Sequence, residues 1–136
     1  MRTFQTEEDY KAVTSEIIGA AIDVHKTIGA GLLESLYEYA MMIELEQRGL
    51  FAQQQVRVPF IYKGTKTDKE FIVDILVEQE IVVELKAVEM LNGLHGAQVQ
   101  TYLRLLNKPL GLLFNFNVHK IMPDGFRRIA NDFFNK

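Results

Sequence analysis

Two apolar runs, Phe71–Val77 and Ile81–Val88, constrain this chain more than any other feature. Both are dense in Val, Ile and Leu at successive positions, so each reads as a β-strand covered on both faces. Such a strand has no solvent face for a charge. Yet Asp74 sits inside the first, and Glu84 and Lys86 sit in the second as Glu-Leu-Lys. Charges buried there are costly unless paired or bound to an ion. Glu84 and Lys86 are two positions apart and share a face. Whether Asp74 joins them depends on the hairpin register. A two-residue connection at Gln79-Glu80 pairs Asp74 with Leu85 and sends it to the wrong face. A three-residue connection, Glu78-Gln79-Glu80, pairs Val77 with Ile81 and Asp74 with Glu84. The odd-length connection, or a bulge with the same effect, is expected. Two facing carboxylates repel unless a cation lies between them, and oxygen donors without cysteine point to Mg²⁺ or Mn²⁺. A half-buried ion cluster without catalysis is the alternative this pattern leaves open.

The flanking segments set these strands in a frame. Val13, Ile17, Ala20, Ala21, Val24 and Ile28 recur at three- and four-residue steps, predicting a helix over Glu7–Ile28 that the Gly29-Ala30-Gly31 run ends. A second helix is expected from Leu32 to Arg48, with Leu33, Leu36, Ala40, Ile43 and Leu45 on its buried side and Gly49 as its stop. Val56–Tyr62 reads as a strand, and Pro59 within it argues for a sheet edge. Lys63-Gly64-Thr65 and Asn92-Gly93 are turns. A helix over Leu94–Leu106 and an apolar strand over Leu110–Val118 follow, and the tail from Pro123 to Lys136 is expected to be a turn and a short helix. The order α-α-β-β-β-α-β predicts an α/β or α+β architecture, a mixed central sheet flanked by helices.

Two more groups bear on the charged strands. Glu34 and Tyr37 lie one turn apart in Gly31-Leu-Leu-Glu34-Ser-Leu-Tyr37. A glutamate there is also what the helix dipole favours. His95, Gln98 and Tyr102 fall at i, i+3 and i+7 on the helix that follows Lys86, a polar stripe able to reach the strand's end or simply to face water.

Length and charge exclude several classes. With 136 residues the chain is one domain's worth, expected to span 1–136. There is no cysteine for a disulfide scaffold, and 48% apolar residues suffice for a core. A net charge of −3 is not that of a polybasic nucleic-acid coat. No run is long enough to cross a membrane. The first residues lack a basic segment followed by an apolar one, so the expected compartment is the cytoplasm.

Taken together, these residues resemble the PD-(D/E)XK nuclease superfamily, and more narrowly the GxxExxY proteins. The naming motif stands as Gly31-x-x-Glu34-x-x-Tyr37 within HKTIGAGLLESLYEYA. Asp74, VELKAVE with Glu84 and Lys86, HGAQVQTYLR with Gln98 and Tyr102, and LGLLFNF follow in order. The resemblance runs from about Thr14 to Ala130, with departures at Asn117 and in the loop before Asp74. It implies a restriction-endonuclease-like core, a mixed four-stranded sheet with the site on a central hairpin. It implies Glu34, Asp74 and Glu84 as metal ligands, Lys86 as the catalytic lysine, and Gln98 and Tyr102 as the supporting element of RecB-type nucleases. His25 matches a recurrent position, where a structural histidine fits equally well. The implied reaction is Mg²⁺- or Mn²⁺-assisted hydrolysis of phosphodiester bonds in DNA, or alternatively RNA. An ammonium beside carboxylates favours an electrostatic role for Lys86 over that of a general base. Candidate phosphate contacts, Arg57, Lys63, Lys66, Lys69, Arg104, Lys108, Lys120, Arg127 and Arg128, are dispersed. A homodimer or partner protein is therefore expected to help grip the substrate. The alternative is a non-catalytic nucleic-acid- or protein-binding module that keeps the fold.

Overall fold

A computed structural model describes residues 1–132 of the chain. Helix α1 spans Glu7–Ile28 and opens on a capping box: Thr6 Oγ1 accepts from the Asp9 N–H, and the Asp9 carboxylate accepts from Thr6 N at 2.9 Å. Helix α2 spans Glu34–Gln47 and α3 spans Gly93–Leu106. Five strands, β1 (Ala52–Tyr62), β2 (Thr65–Val77), β3 (Ile81–Lys86), β4 (Leu110–Asn115) and β5 (Phe126–Ala130), form one sheet in the order β1-β2-β3-β4-β5. Only β3 and β4 are parallel, and α3 is the crossover between them. The mixed sheet carries α1 and α2 on one face and α3 on the other, an α/β fold of the restriction-endonuclease-like kind. No helix among the described residues is long and apolar enough to cross a membrane.

The core divides along the sheet. Ile81, Val83 and Leu85 pack against α1 and α2, together with Ile75 and Val77. Val82, with Val73 and Leu76, packs against Val99, Tyr102 and Leu103 of α3. Strand β3 therefore alternates regularly, whereas β2 does not. Val73 and Ile75 are two apart but lie on opposite faces, so the pleat slips at Asp74. Strand β1 slips at the same level. Gln55 adopts a left-handed φ of 52° between the pairs Gln54↔Ile75 and Val56↔Val73. Pro59 lies on the outermost strand, as its missing N–H requires.

Three expectations are corrected. The tail does not form a short helix at 126–130; it forms β5, antiparallel to β4. Phe126 and Ile129 alternate between the two cores, and the ladder satisfies the edge of β4 that would otherwise stand open. The expected helix also extended over residues 133–136, which lie outside the described residues. The implied four-stranded sheet thus has a fifth strand. Helix α2 buries Tyr37, Met41 and Leu45, whereas Leu33, Leu36 and Ile43 are exposed. Apolar residues surround α2, so its periodicity fixes no phase. The phase comes instead from Tyr37, whose ring stacks on Phe116 at a centroid distance of 4.5 Å. Finally, β1 and β2 begin earlier than expected, at Ala52 and Thr65, making a longer hairpin.

Gly111 on β4 sets how closely α3 approaches the sheet. A Cβ there would lie 2.5 Å from Val99 Cγ1, a stiff β-branched neighbour. Gly111→Ala is expected to cost about 1–3 kcal/mol, read as a lowered urea midpoint. Gly96→Ala on α3, where the nearest atom is 3.9 Å away, should be neutral or gain up to about 1 kcal/mol.

Candidate functional site

The turn between β2 and β3 is the three-residue one, with Val77 opposite Ile81. The ladder continues through Leu76↔Val82 and Ile75↔Val83 and then stops. At the next step the side chains take over from the backbone. Asp74 N–H donates to Glu84 Oε1 at 2.8 Å, and Leu85 N–H donates to Asp74 Oδ2 at 2.9 Å. The slipped pleat parts the strands here. Each carboxyl crosses to the opposite strand and satisfies a donor that would otherwise be buried unpaired.

Electrostatics make this pair unusual. Glu84 is 2% exposed. Burial, then the charge of Asp74, pushes its pKa up to about 9, with Lys86 opposing. Burial also raises Asp74, against the N–H of Leu85, the hydrogen bond to Glu84 and the charge of Lys86. At neutral pH the two carboxyls hold a proton between them. Lys86 ends β3, half-buried, and its carbonyl accepts from Phe116 N at 2.9 Å.

Glu34 reaches the same end of the sheet by a different route. Gly29 and Gly31 take positive φ values of 73° and 93°, which reverse the chain after α1. Tyr37 holds that reversal, its hydroxyl donating to Gly29 O at 2.7 Å and accepting from Leu32 N at 3.2 Å. The Gly-x-x-Glu-x-x-Tyr spacing is thus a mechanical unit: glycine turns, tyrosine clamps, and glutamate starts the helix. Glu34 Oε1 accepts from Ala87 N at 3.2 Å, and its charge contributes to raising Asp74.

Helix α3 supplies the other wall. Tyr102 is buried edge-on to Phe71 at 6.0 Å. Its pKa is pushed up to about 12 by burial first and then by Glu84 and Asp74, so it remains a phenol and a donor. Gln98 is exposed and lines a cavity of about 430 Å³ with Lys86, His95 and Thr101. His95 caps its own helix: its Nδ1 accepts from Asn92 N at 3.1 Å. The three residues of the stripe therefore divide into cap, cavity wall and buried donor. His25 donates through Nε2 to Val118 O at 2.8 Å, the structural role open to it from the start.

Sequence reasoning missed three residues. Glu38, one turn beyond Glu34, accepts from Gln55 Nε2 at 2.7 Å. Burial and Asp74 raise its pKa, against that bond. Its i+4 spacing from Glu34 was a usable signal, whereas the left-handed Gln55 left none. Asn115 is buried and pins the chain leaving β3 by accepting from Val88 N at 3.0 Å and donating to Val88 O at 2.9 Å.

The donor set fits a hard divalent cation. It is all oxygen, and the paired carboxyls retain a proton where added positive charge would serve the same end. Asp74 and Glu84 are together, but Glu34 is turned to the Ala87 N–H. Among the described residues no three acidic or histidine side chains converge within metal-ligand range.

The raised Glu84 sets a pH dependence of stability in metal-free protein. The unfolded chain loses this proton near 4.5, while the folded pair keeps it up to about 9. Stabilisation is therefore complete below the unfolded value and is lost as pH rises through the folded one. The melting temperature should fall between pH 5 and pH 9 by at least roughly 3 °C, the worth of 1 kcal/mol in a chain of this size. Glu84→Gln should flatten that fall in a calorimetric pH series.

A family model described as the PD-(D/E)XK nuclease superfamily matches residues 11–129. No curated protein and no solved structure matches the chain. The matched span includes the turn before α2, the parted hairpin with Asp74, Glu84 and Lys86, and α3 with Gln98 and Tyr102; over most of its length, then, this chain belongs to the PD-(D/E)XK nuclease superfamily.

Proposed function

We propose that this chain is a single-domain, divalent-metal-dependent nuclease of the GxxExxY group that hydrolyses phosphodiester bonds in DNA. The observation that carries the reading is the reciprocal Asp74–Glu84 pair, two carboxyls that each accept a backbone N–H of the facing strand, with a lysine two residues on. Asp74, Glu84 and Glu34 would hold Mg²⁺ or Mn²⁺. When bound, such a cation lowers the pKa of a coordinated water and neutralises charge on the phosphate.

The chain's own residues do the rest. Lys86 places an ammonium beside the reacting phosphate and stabilises the charge that develops in the pentacovalent transition state. Tyr102, held as a phenol, keeps a donor behind the two carboxyls. Gln98 lines the cavity next to Lys86 and offers an amide to the substrate strand. Asn115 and the Glu34–Ala87 contact fix the chain after Lys86, so the ammonium is presented from a rigid strand end. Helix α2 presents an exposed apolar side with Leu36, Tyr39 and Ile43, which supports assembly with a second copy or a partner protein.

Two measurements test this reading. Saturating Mn²⁺ at about a hundred times its Kd should stabilise the protein by about 2.7 kcal/mol, a rise of roughly 8 °C in Tm; Asp74→Asn should abolish the gain. In a Mn²⁺-supported cleavage assay on single-stranded, double-stranded and branched DNA, with RNA as comparison, Lys86→Ala should lower kcat by about 10²–10³-fold. Equal cleavage by both proteins would remove the enzyme reading, and no stabilisation by metal would favour a binding module.

A further inference from the structure

A second cavity, of about 300 Å³, lies between the last turn of α1 and the chain that follows β4. Among the described residues its polar lining is basic, His25, Lys26, His119 and Lys120, with three apolar side chains and no carboxylate. That departs from the molecule as a whole, where 18 acidic residues stand against 15 lysines and arginines and three histidines. The helix dipole accounts for His25 and Lys26, which lie in the last turn of α1. It does not account for His119 and Lys120, which come from a loop. Neither Lys26 nor Lys120 is in an ion pair among the described residues, whereas Arg48 alone has three carboxylate partners. The cavity wall is built rather than loose, since His25 is fixed to Val118 O at 2.8 Å.

Its position matters as much as its charge. Phe116 N bonds to the Lys86 carbonyl at 2.9 Å, so the loop leaves the sheet beside the backbone end of β3, the strand that carries Glu84 and Lys86. From Phe116 to His119 is three steps of chain, at most roughly 10 Å, a span of a few nucleotides along a strand. We propose that this cavity is a phosphate subsite. It holds a phosphate of the nucleic acid a few nucleotides from the one placed at Asp74, Glu84 and Lys86. The inference rests on the nuclease reading and adds to it where the substrate strand runs: off the carboxylate pair, past Phe116, and onto α1.

The test is steady-state Mn²⁺-supported cleavage of a single-stranded 12-mer by the full chain. The double variant Lys26→Ala/Lys120→Ala should raise KM about tenfold with kcat largely kept, because the lost contact binds substrate and transition state alike. The slope of log(kcat/KM) against log salt should flatten by about 1–2. Lys26→Arg/Lys120→Arg should restore both. Arg2→Ala/Lys11→Ala removes the same charge from the exposed N-terminal end of the chain and should leave KM near wild type. A 5′-hydroxyl and a 5′-phosphoryl 12-mer distinguish the source: a KM effect on both assigns an internal phosphate, and one confined to the latter a terminal phosphate. If wild type cleaves and Lys26→Ala/Lys120→Ala matches it, or if both alanine doubles behave alike, the subsite is wrong and the nuclease reading stands. If wild type neither cleaves nor binds the 12-mer, both fall.

Discussion

The exchange of hydrogen bonds between Asp74 and Glu84 governs the rest of this structure. Two buried strands part by one slipped pleat, and parting strands leave backbone N–H groups without partners. The two carboxyls supply those partners, Glu84 for the N–H of Asp74 and Asp74 for the N–H of Leu85. Their placement is therefore dictated by backbone accounting before any chemistry is considered. The cost is that two carboxyls meet in a dry setting. A shared proton offsets that cost in the metal-free protein, and a divalent cation would offset it in the loaded one.

Around this pair the scaffold works to hold one end of the sheet still. Tyr37 joins the reversal after α1 to the core through its stack on Phe116, and thereby sets the start of α2 and the position of Glu34. Asn115 and Phe116 grip the chain at and just after Lys86, through Val88 and the Lys86 carbonyl. On the opposite face, Gly111 lets α3 settle close enough for Tyr102 to lie behind the carboxyls. The glycines and aromatics of this fold thus serve the site by fixing distances.

Much of this was legible in the sequence because it follows from short-range rules. The hairpin register followed from face parity and turn length alone, and Pro59 marked the sheet edge. Helix α1 carried a clean stripe, and its bounds are those expected. Where the reading failed, the deciding force was tertiary. Helix α2 is apolar nearly all round, so only the Tyr37–Phe116 stack could choose which side to bury. Two of the five residues of β5 are arginines, and the segment becomes a strand because β4 offers an open edge. The slip at Asp74 depends on a left-handed Gln55 across the hairpin, a residue type that gives no warning of it. Glu38 was readable from its spacing to Glu34 but became relevant only when Gln55 and Asp74 were seen beside it.

On the proposed reading, the proton between Asp74 and Glu84 stands in for a cation. Calorimetric titration of Mn²⁺ into the protein at pH 7, repeated in buffers of different ionisation enthalpy, measures the protons released on binding. Wild type is expected to release about one proton per cation, and Glu84→Gln none. Binding of Mn²⁺ by wild type with no proton release, or the same release from Glu84→Gln, would contradict it.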